Sequence, residues 1–289
     1  MVASFHTLIS RILSIPAGQV ERTIGLLGEG ATIPFISRYR KEVTGGLDEV
    51  QIGNIKDQLD KLAELKKRKE SILSSIEEQG KLTPELKKRI VDSWDSTEIE
   101  DLYLPYRPKR KTRASAAIAR GLEPLARILA EQKWETVPEE AAKPFVQPEQ
   151  DVPDVAAALQ GAMDILAEEM ANDAALRKQM RQFTILSGTL SARAVDEEAE
   201  TPYRNYYDFQ APIEKLQGHR ILAINRGEQE NALKVTLSLP EGKGAAVVVR
   251  KYVHNDSPAA KLVQAAAEDA FQRLLFPAVE REIRKNLTE

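Results

Sequence analysis

The chain has 289 residues, no cysteine and a formal net charge of −3 at pH 7. That length can bury a real core in two or more domains. The missing thiols exclude disulfides and thiol chemistry, and no apolar run approaches a membrane span. The charge is uneven: residues 61–120 hold 15 Lys and Arg against 10 Asp and Glu, whereas residues 131–200 hold 6 against 15. Such asymmetry fits one face for a polyanion, or two faces that dock on each other.

At the N-terminus Phe5, Leu8, Ile9, Ile12 and Leu13 recur at helical spacing and are interrupted by Ser10 and Arg11. This is an amphipathic helix rather than a signal peptide. Val20, Ile24 and Leu27 mark a second helix, ended by Gly28-Glu29-Gly30. Thr32 can cap a short third helix with Pro34 in its first turn and Phe35, Ile36 and Tyr39 as its apolar side. The same piece carries Arg38, Arg40 and Lys41 and ends at Gly45-Gly46. Asp48 can cap a helix running to about Gly80, with the stripe Ile52, Ile55, Leu59, Leu62, Leu65, Ile72 and Ile76. Its length and near-3.5 spacing predict a partner helix along it. The run Lys66 to Lys69 midway reads as a solvated face.

Thr83-Pro84-Glu85 is a strong helix start, followed by the face Leu86, Ile90, Val91 and Trp94. Asp95 with Glu98 resembles a capping box for a further short helix holding Ile99 and Leu102. The two make a helix-turn-helix-like unit. It leads into the stretch around which the chain is organised, EIEDLYLPYRPKRKTRASAAIAR from Glu98 to Arg120. Pro105 and Pro108 push their preceding residues toward extended backbone, which predicts a fixed strap rather than a helix. Arg107, Lys109, Arg110, Lys111 and Arg113 lie on it. Alternation on extended backbone would put Arg107, Lys109, Lys111 and Arg113 on one face and Arg110 on the other. These cations either follow a phosphate backbone or pair with the chain's own acids, Arg107 with Asp101 first among them. Tyr103 and Tyr106 read as core.

Gly121 breaks the next helix, and Pro124 starts another with Leu125, Ile128, Leu129 and Trp134. Residues 135–153, rich in proline and acids, read as a surface connector. Asp154 caps a helix with the stripe Val155, Leu159, Met163, Leu166 and Met170, and Asp173 caps its continuation through Leu176, Met180 and Phe183. Gly188 to Glu200 reads as polar loop. RILAIN at Arg220–Asn225 and the strict alternation of Leu233, Val235, Leu237 and Leu239 then predict a β-hairpin. Ala245 to Val249 is a third strand or a short helix. Ser257-Pro258 opens the last helical stretch, which Pro277 kinks or restarts.

The expected fold is mainly α: a multi-helix scaffold with a helix-turn-helix-like unit and one small β-hairpin near residues 220–239. The organisation reads as a helical region over 1–65, the helix-turn-helix-like unit with its strap over 66–125, helices over 126–200, and the hairpin with terminal helices over 201–289. His6, His219 and His254 are scattered, and no phosphate loop, dinucleotide fingerprint or nucleophile elbow is present. Asp164 and Glu168 share a helix face beside Glu169 and Asp173, where a divalent ion is conceivable but an acidic solvated face is the better reading. Neither an enzyme nor a cofactor is expected.

Several blocks in order (TIPFISRYRKEVTGGLDE, DLYLPYRPKRKTRA with GLEPLA, YYDF, HRILAINRGE and RLLFPAVEREIRKNLTE) resemble the N-terminal half of the Tex family of bacterial transcription accessory proteins. The resemblance implies a cytoplasmic, nucleic-acid-binding protein whose N-terminal part is helical. It also implies that RNase H-like, helix-hairpin-helix and S1 domains follow in the family, so that this chain is a fragment lacking the S1 contact with RNA. Of the matched cations, Arg38, Arg40, Lys41, Arg107, Lys109, Arg110 and Arg113 are motif positions; with Lys111 they are the candidate nucleic-acid residues on charge alone. The expected partner is nucleic acid, RNA or DNA, held weakly, alongside the transcription machinery and no membrane. The alternative is a protein-interaction scaffold that positions the missing domains without touching nucleic acid.

Overall fold

The computed structural model of the chain describes residues 5–107 and 111–288 and separates into two units, Met1–Tyr106 and Arg107–Glu289. The first unit is built on one long helix. It holds α1 (Phe5–Leu13), α2 (Ala17–Gly28), α3 (Ile33–Tyr39), α4 (Lys41–Thr44), α5 (Glu49–Glu78), α6 (Pro84–Asp92) and α7 (Ser96–Tyr103). Asp48 starts α5 with a reciprocal capping box: its carboxylate accepts the Gln51 amide at 2.7 Å, and the Gln51 side chain accepts the Asp48 amide at 3.1 Å. Thirty residues at 1.5 Å rise make a rod about 45 Å long. Its partner is not one long helix. The N-terminal half packs on α1, α2 and α3, and the C-terminal half on α6 and α7. Ile9, Val20, Ile36, Ile52 and Ile55 are fully buried in the first cluster.

Thr83 caps α6 through the Leu86 amide, and Asp95 caps α7 through the Thr97 and Glu98 amides, both where the sequence places them. Glu98 does not close a box; it accepts from the Ser93 hydroxyl at 2.7 Å. Thr32 occupies the N-cap position of α3 without a side-chain cap bond.

The second unit holds α8 (Arg113–Ala119), α9 (Glu123–Ala130), α10 (Pro138–Ala142), α11 (Val155–Ala171), α12 (Ala174–Ser187), β1 (Thr189–Ala194), β2 (Asp208–Pro212), α13 (Gly218–Gln229), β3 (Leu233–Ser238), α14 (Lys243–Tyr252), α15 (Pro258–Asp269) and α16 (Phe276–Thr288). Helix α11 is its axis, packed by α8, α9, α10 and α15. Small residues allow the close approach: a Cβ on Gly161 would come within 2.3 Å of the buried Leu122 side chain. The connector 135–153 is more built than expected. It contains α10, two short 3-10 turns and a bridge between Gln147 and Val152, with Pro138, Ala142 and Val152 buried.

The mainly α expectation holds, and its β part needs correction. Arg220–Asn225 is not a strand: it lies inside α13, with Ile221, Ile224 and Gly227 turned inward every three residues. Strand β3 alternates as read, Leu233, Val235 and Leu237 inward. Its neighbour is β1, in the stretch read as loop, and the sheet order is β2-β1-β3, all antiparallel. Leu190 lies opposite Leu237, and Ala192 opposite Val235. Ala245–Val249 is helical, within α14. Before Pro277 the chain widens to a π-helix, Ala270–Leu275, in which the Phe276 amide reaches back five residues to the Phe271 carbonyl. Proline lacks the amide that an α-turn needs, and a wider turn absorbs that loss without ending the helix.

Candidate nucleic-acid interface

The candidate cations fall into two groups, one in each unit. In the first unit, Arg38 and Tyr39 close α3, Arg40 joins α3 to α4, and Lys41 opens α4. All four are exposed, Tyr39 at 65%. Helix α3 is held from beneath by Ile36, which is fully buried, and by Ser37. Phe35 and Tyr39, four residues apart on one face, form a ring pair at 5.4 Å, and the Arg40 guanidinium lies 5.6 Å from the Phe35 ring centre. Helix α4 is fixed from α2: Gln19 donates to the Gly45 carbonyl at 3.2 Å and Arg22 to the Val43 carbonyl at 2.5 Å. Gly45 and Gly46 have φ of 70° and 84°, which favours glycine there. Among the described residues none of Arg38, Arg40 and Lys41 forms an ion pair.

In the second unit Arg107, Lys111 and Arg113 are exposed, and among the described residues they also lack carboxylate partners. Arg107 therefore does not take the internal pairing with Asp101 that its position suggested. Lys109 and Arg110 lie outside the described residues. Arg113 is not on extended backbone but is the first residue of α8, whose N-cap Thr112 forms a box with Ser115. Leu104–Tyr106, read as strap, is a 3-10 turn. The alternation of faces consequently does not extend to Arg113.

The tyrosines behave as core in part. Tyr103 is buried, its hydroxyl 3.2 Å from that of Ser75, and Tyr106 is half-buried. The run Lys66 to Lys69 divides by helix phase. Lys66 and Lys67 are solvated. Arg68 grips Glu100 with two bonds of 2.6 and 3.0 Å and stacks over Tyr103; that pairing raises its pKa. Lys69 is only 5% exposed, donates to the Val91 carbonyl at 2.8 Å and lies 3.8 Å from the Trp94 ring centre. Burial lowers its pKa. The signal was present: Lys69 falls seven residues after Leu62 and seven before Ile76, both in the buried stripe.

Helices α6 and α7 are joined by Ser93, Trp94 and Asp95, the short connection expected of a helix-turn-helix-like pair. The second helix is nonetheless acidic. Asp95, Glu98, Glu100 and Asp101 lie on or before it, so it presents no cationic face for a groove. Nor does the acidic face of α11 gather a metal site. Asp164 is 3.6 Å from Arg273, Glu169 pairs with Arg127, and Asp173 is engaged by Lys251 and Tyr252. Among the described residues no group of three or more potential ligands could hold a metal ion, and no helix is long and apolar enough to cross a membrane.

Comparison with known proteins matches residues 133–289 to the Tex central region-like family and residues 3–77 to the Tex-like protein N-terminal domain. The uncharacterized protein YdcI of Bacillus subtilis is 39% identical over 285 residues, covering 97% of this chain and 40% of the relative. The transcriptional accessory protein Tex of Neisseria gonorrhoeae is 40% identical over 232 residues, covering 80% of this chain and 30% of the relative. The human S1 RNA-binding domain-containing protein 1 is 30% identical over 281 residues, covering 92% of this chain and 28% of the relative. The chain thus spans less than half the length of these curated relatives.

Proposed function

Because the chain belongs to the Tex family, we propose that it is the helical scaffold of a transcription accessory protein and that it makes weak, sequence-independent contacts with nucleic acid of its own. The observation that carries this reading is the set of exposed cations without carboxylate partners: Arg38, Arg40 and Lys41 in one unit, Arg107, Lys111 and Arg113 in the other. A structural cation is normally paired or buried, as Arg68 and Lys69 are. An exposed, unpaired group of one sign is available to phosphate. The protein works in the cytoplasm, without catalysis, and as one part of a longer protein whose further domains, including an S1 domain, would make the main RNA contact. The α6–α7 pair has a supporting role in this reading rather than that of a groove reader.

The second reading, a scaffold that docks protein rather than nucleic acid, is favoured by the exposed Trp134, Leu186 and Leu222 of the second unit, at 66, 65 and 59%. Fluorescence anisotropy with single- and double-stranded oligonucleotides over a salt series separates the two. Phosphate contact predicts dissociation constants of about 10⁻⁴–10⁻⁶ M at physiological salt, with log affinity falling as log salt rises. Replacing Arg107, Lys111 and Arg113 with glutamine would weaken binding and flatten the slope by up to about three phosphate contacts' worth. Failure of the unaltered chain to bind any oligonucleotide at low salt would leave the protein scaffold.

A further inference from the structure

We propose that the surface of α3 and the α3–α4 junction is a stacking site for one unpaired base of a single-stranded nucleic acid, with Tyr39 as the platform and Arg38, Arg40 and Lys41 holding the flanking phosphates. This deepens the reading above, on which it rests, by naming the form of nucleic acid and the contact that selects it.

A patch that serves charge alone needs no aromatic rings in water. Here two aromatic side chains are exposed beside three unpaired cations, Phe35 at 41% and Tyr39 at 65%. Helical phase turns both positions outward, since the inward position of this turn is filled by Ile36, but an outward position does not call for an aromatic side chain. The two rings are tilted by 43° rather than stacked flat on each other, so their pairing does not consume the open face of Tyr39. Arg40 leans over Phe35, which orients the guanidinium while leaving its donors for an anion. The platform is also rigid. Buried Thr44 donates its hydroxyl to the Arg40 carbonyl at 3.2 Å, and the Gln19 and Arg22 bonds clamp the following turn. A rigid site loses less entropy on binding than a loop would.

The charge is complementary to one class of ligand: within residues 30–47 three cations stand against one acid, Glu42, which calls for a polyanion. The rings narrow the class further. In a duplex the base faces are covered by neighbouring pairs, so only a single strand can present one to Tyr39. Stacking of a base on an aromatic side chain is sequence-tolerant, because every base has a π-face.

The test compares a fluorescein-labelled oligodeoxythymidylate with an abasic oligomer of equal length and charge, using the whole 289-residue chain. The unaltered protein is expected to bind the base-bearing strand about fivefold or more tightly than the abasic one. Tyr39→Ala should abolish that preference while leaving the salt slope unchanged, and Tyr39→Trp should retain it. Arg40→Gln should weaken both strands alike. Circular dichroism confirms that the variants fold. Equal binding of both strands by the unaltered chain, or a preference that survives Tyr39→Ala, overturns the stacking site but leaves the electrostatic reading standing. No binding of either strand overturns both. Displacement of the strand by an acidic peptide whose own affinity depends on Tyr39 assigns the surface to a protein partner and overturns the proposal too.

Discussion

Gln132 should be the most sensitive polar residue of the second unit. It follows α9, is 2% exposed and has φ of 51°, a backbone conformation that disfavours side chains. Its side chain donates to the Tyr252 carbonyl at 2.7 Å and accepts from the His254 amide at 2.9 Å. Its own carbonyl accepts from Asn255 at 2.9 Å and from Ser257 at 3.1 Å. One residue thereby ties α9 to the turn between α14 and α15, more than a hundred positions later. Gln132→Ala deletes the two side-chain bonds and strands a carbonyl and an amide. Each buried orphan costs about 1–3 kcal/mol, and because Tyr252 and His254 are partly reached by water the low end applies, about 2–3 kcal/mol in all. With a urea slope of about 1–3 kcal/mol/M, the midpoint should drop by roughly 1 M. Gln132→Gly loses the same bonds but relieves the left-handed backbone, so it should be milder than alanine by up to about 1 kcal/mol. Urea denaturation followed by circular dichroism, with hydrogen exchange at residues 252–257, reads both. An unchanged midpoint for Gln132→Ala, or a glycine variant less stable than the alanine one, would refute the reasoning.

Two further outcomes follow from the second unit. Gly161→Val should destabilise by about 1–3 kcal/mol, since even its Cβ would collide with the buried Leu122 side chain and lie 3.3 Å from Ala117; thermal melting measures it. The contact of Asp173 with Lys251 and Tyr252 should give a stability plateau that falls at both ends of the pH range. Burial alone would raise the Asp173 pKa, but hydrogen bonds from Lys251, Tyr252 and the Leu176 amide outweigh it and the net shift is downward. Its contribution is therefore present above the ordinary carboxylate value, about 3.9, and is lost as pH falls through the lower folded value. Burial and the neighbouring Asp173 carboxylate raise the Tyr252 pKa, so that contribution is complete below about 10 and is lost as pH rises beyond it. Urea midpoints against pH for Asp173→Asn should show a shallower acid limb than the unaltered chain; parallel limbs would show that the contact does not titrate as described.

What could be read from the sequence followed the range of the interaction. Caps need only the next three residues, and Asp48, Thr83, Asp95, Asp154, Asp173 and Ser257 all cap where their spacing places them. The alternation of β3 was equally local. RILAIN misled because a short apolar run fits either period; the packing lies outside the run, where Gly227 of α13 is so close to Leu233 and Tyr203 that a Cβ would approach them at 2.7 and 3.0 Å. Strand β1 was missed because its inward side is only Leu190 and Ala192, too little apolar signal to outweigh Thr189, Ser191 and Arg193. Among the cations the charges were visible, but which of them are paired was not. Glu100 reaches Arg68 across 32 positions, whereas nothing local distinguishes paired Arg68 from exposed Arg107.

The charge balance also sets how the nucleic-acid measurements must be read. The chain carries a net charge of −3, so a distant polyanion meets no overall attraction. Binding must come from patches of three cations acting at short range. At physiological salt the screening length is about 8 Å, and a patch is then felt almost alone. At about 0.01 M salt the length grows to about 30 Å, and the acid-rich residues 131–200, in the same unit as Arg107, Lys111 and Arg113, begin to repel the same strand. Affinity should consequently rise less steeply toward low salt than counterion release from three phosphates alone requires. A plot of log affinity against log salt that bends downward at its dilute end is thus the signature of local patches on an acidic chain. A straight line with the full three-contact slope throughout would mean that the acidic stretch is too far from the bound strand to matter.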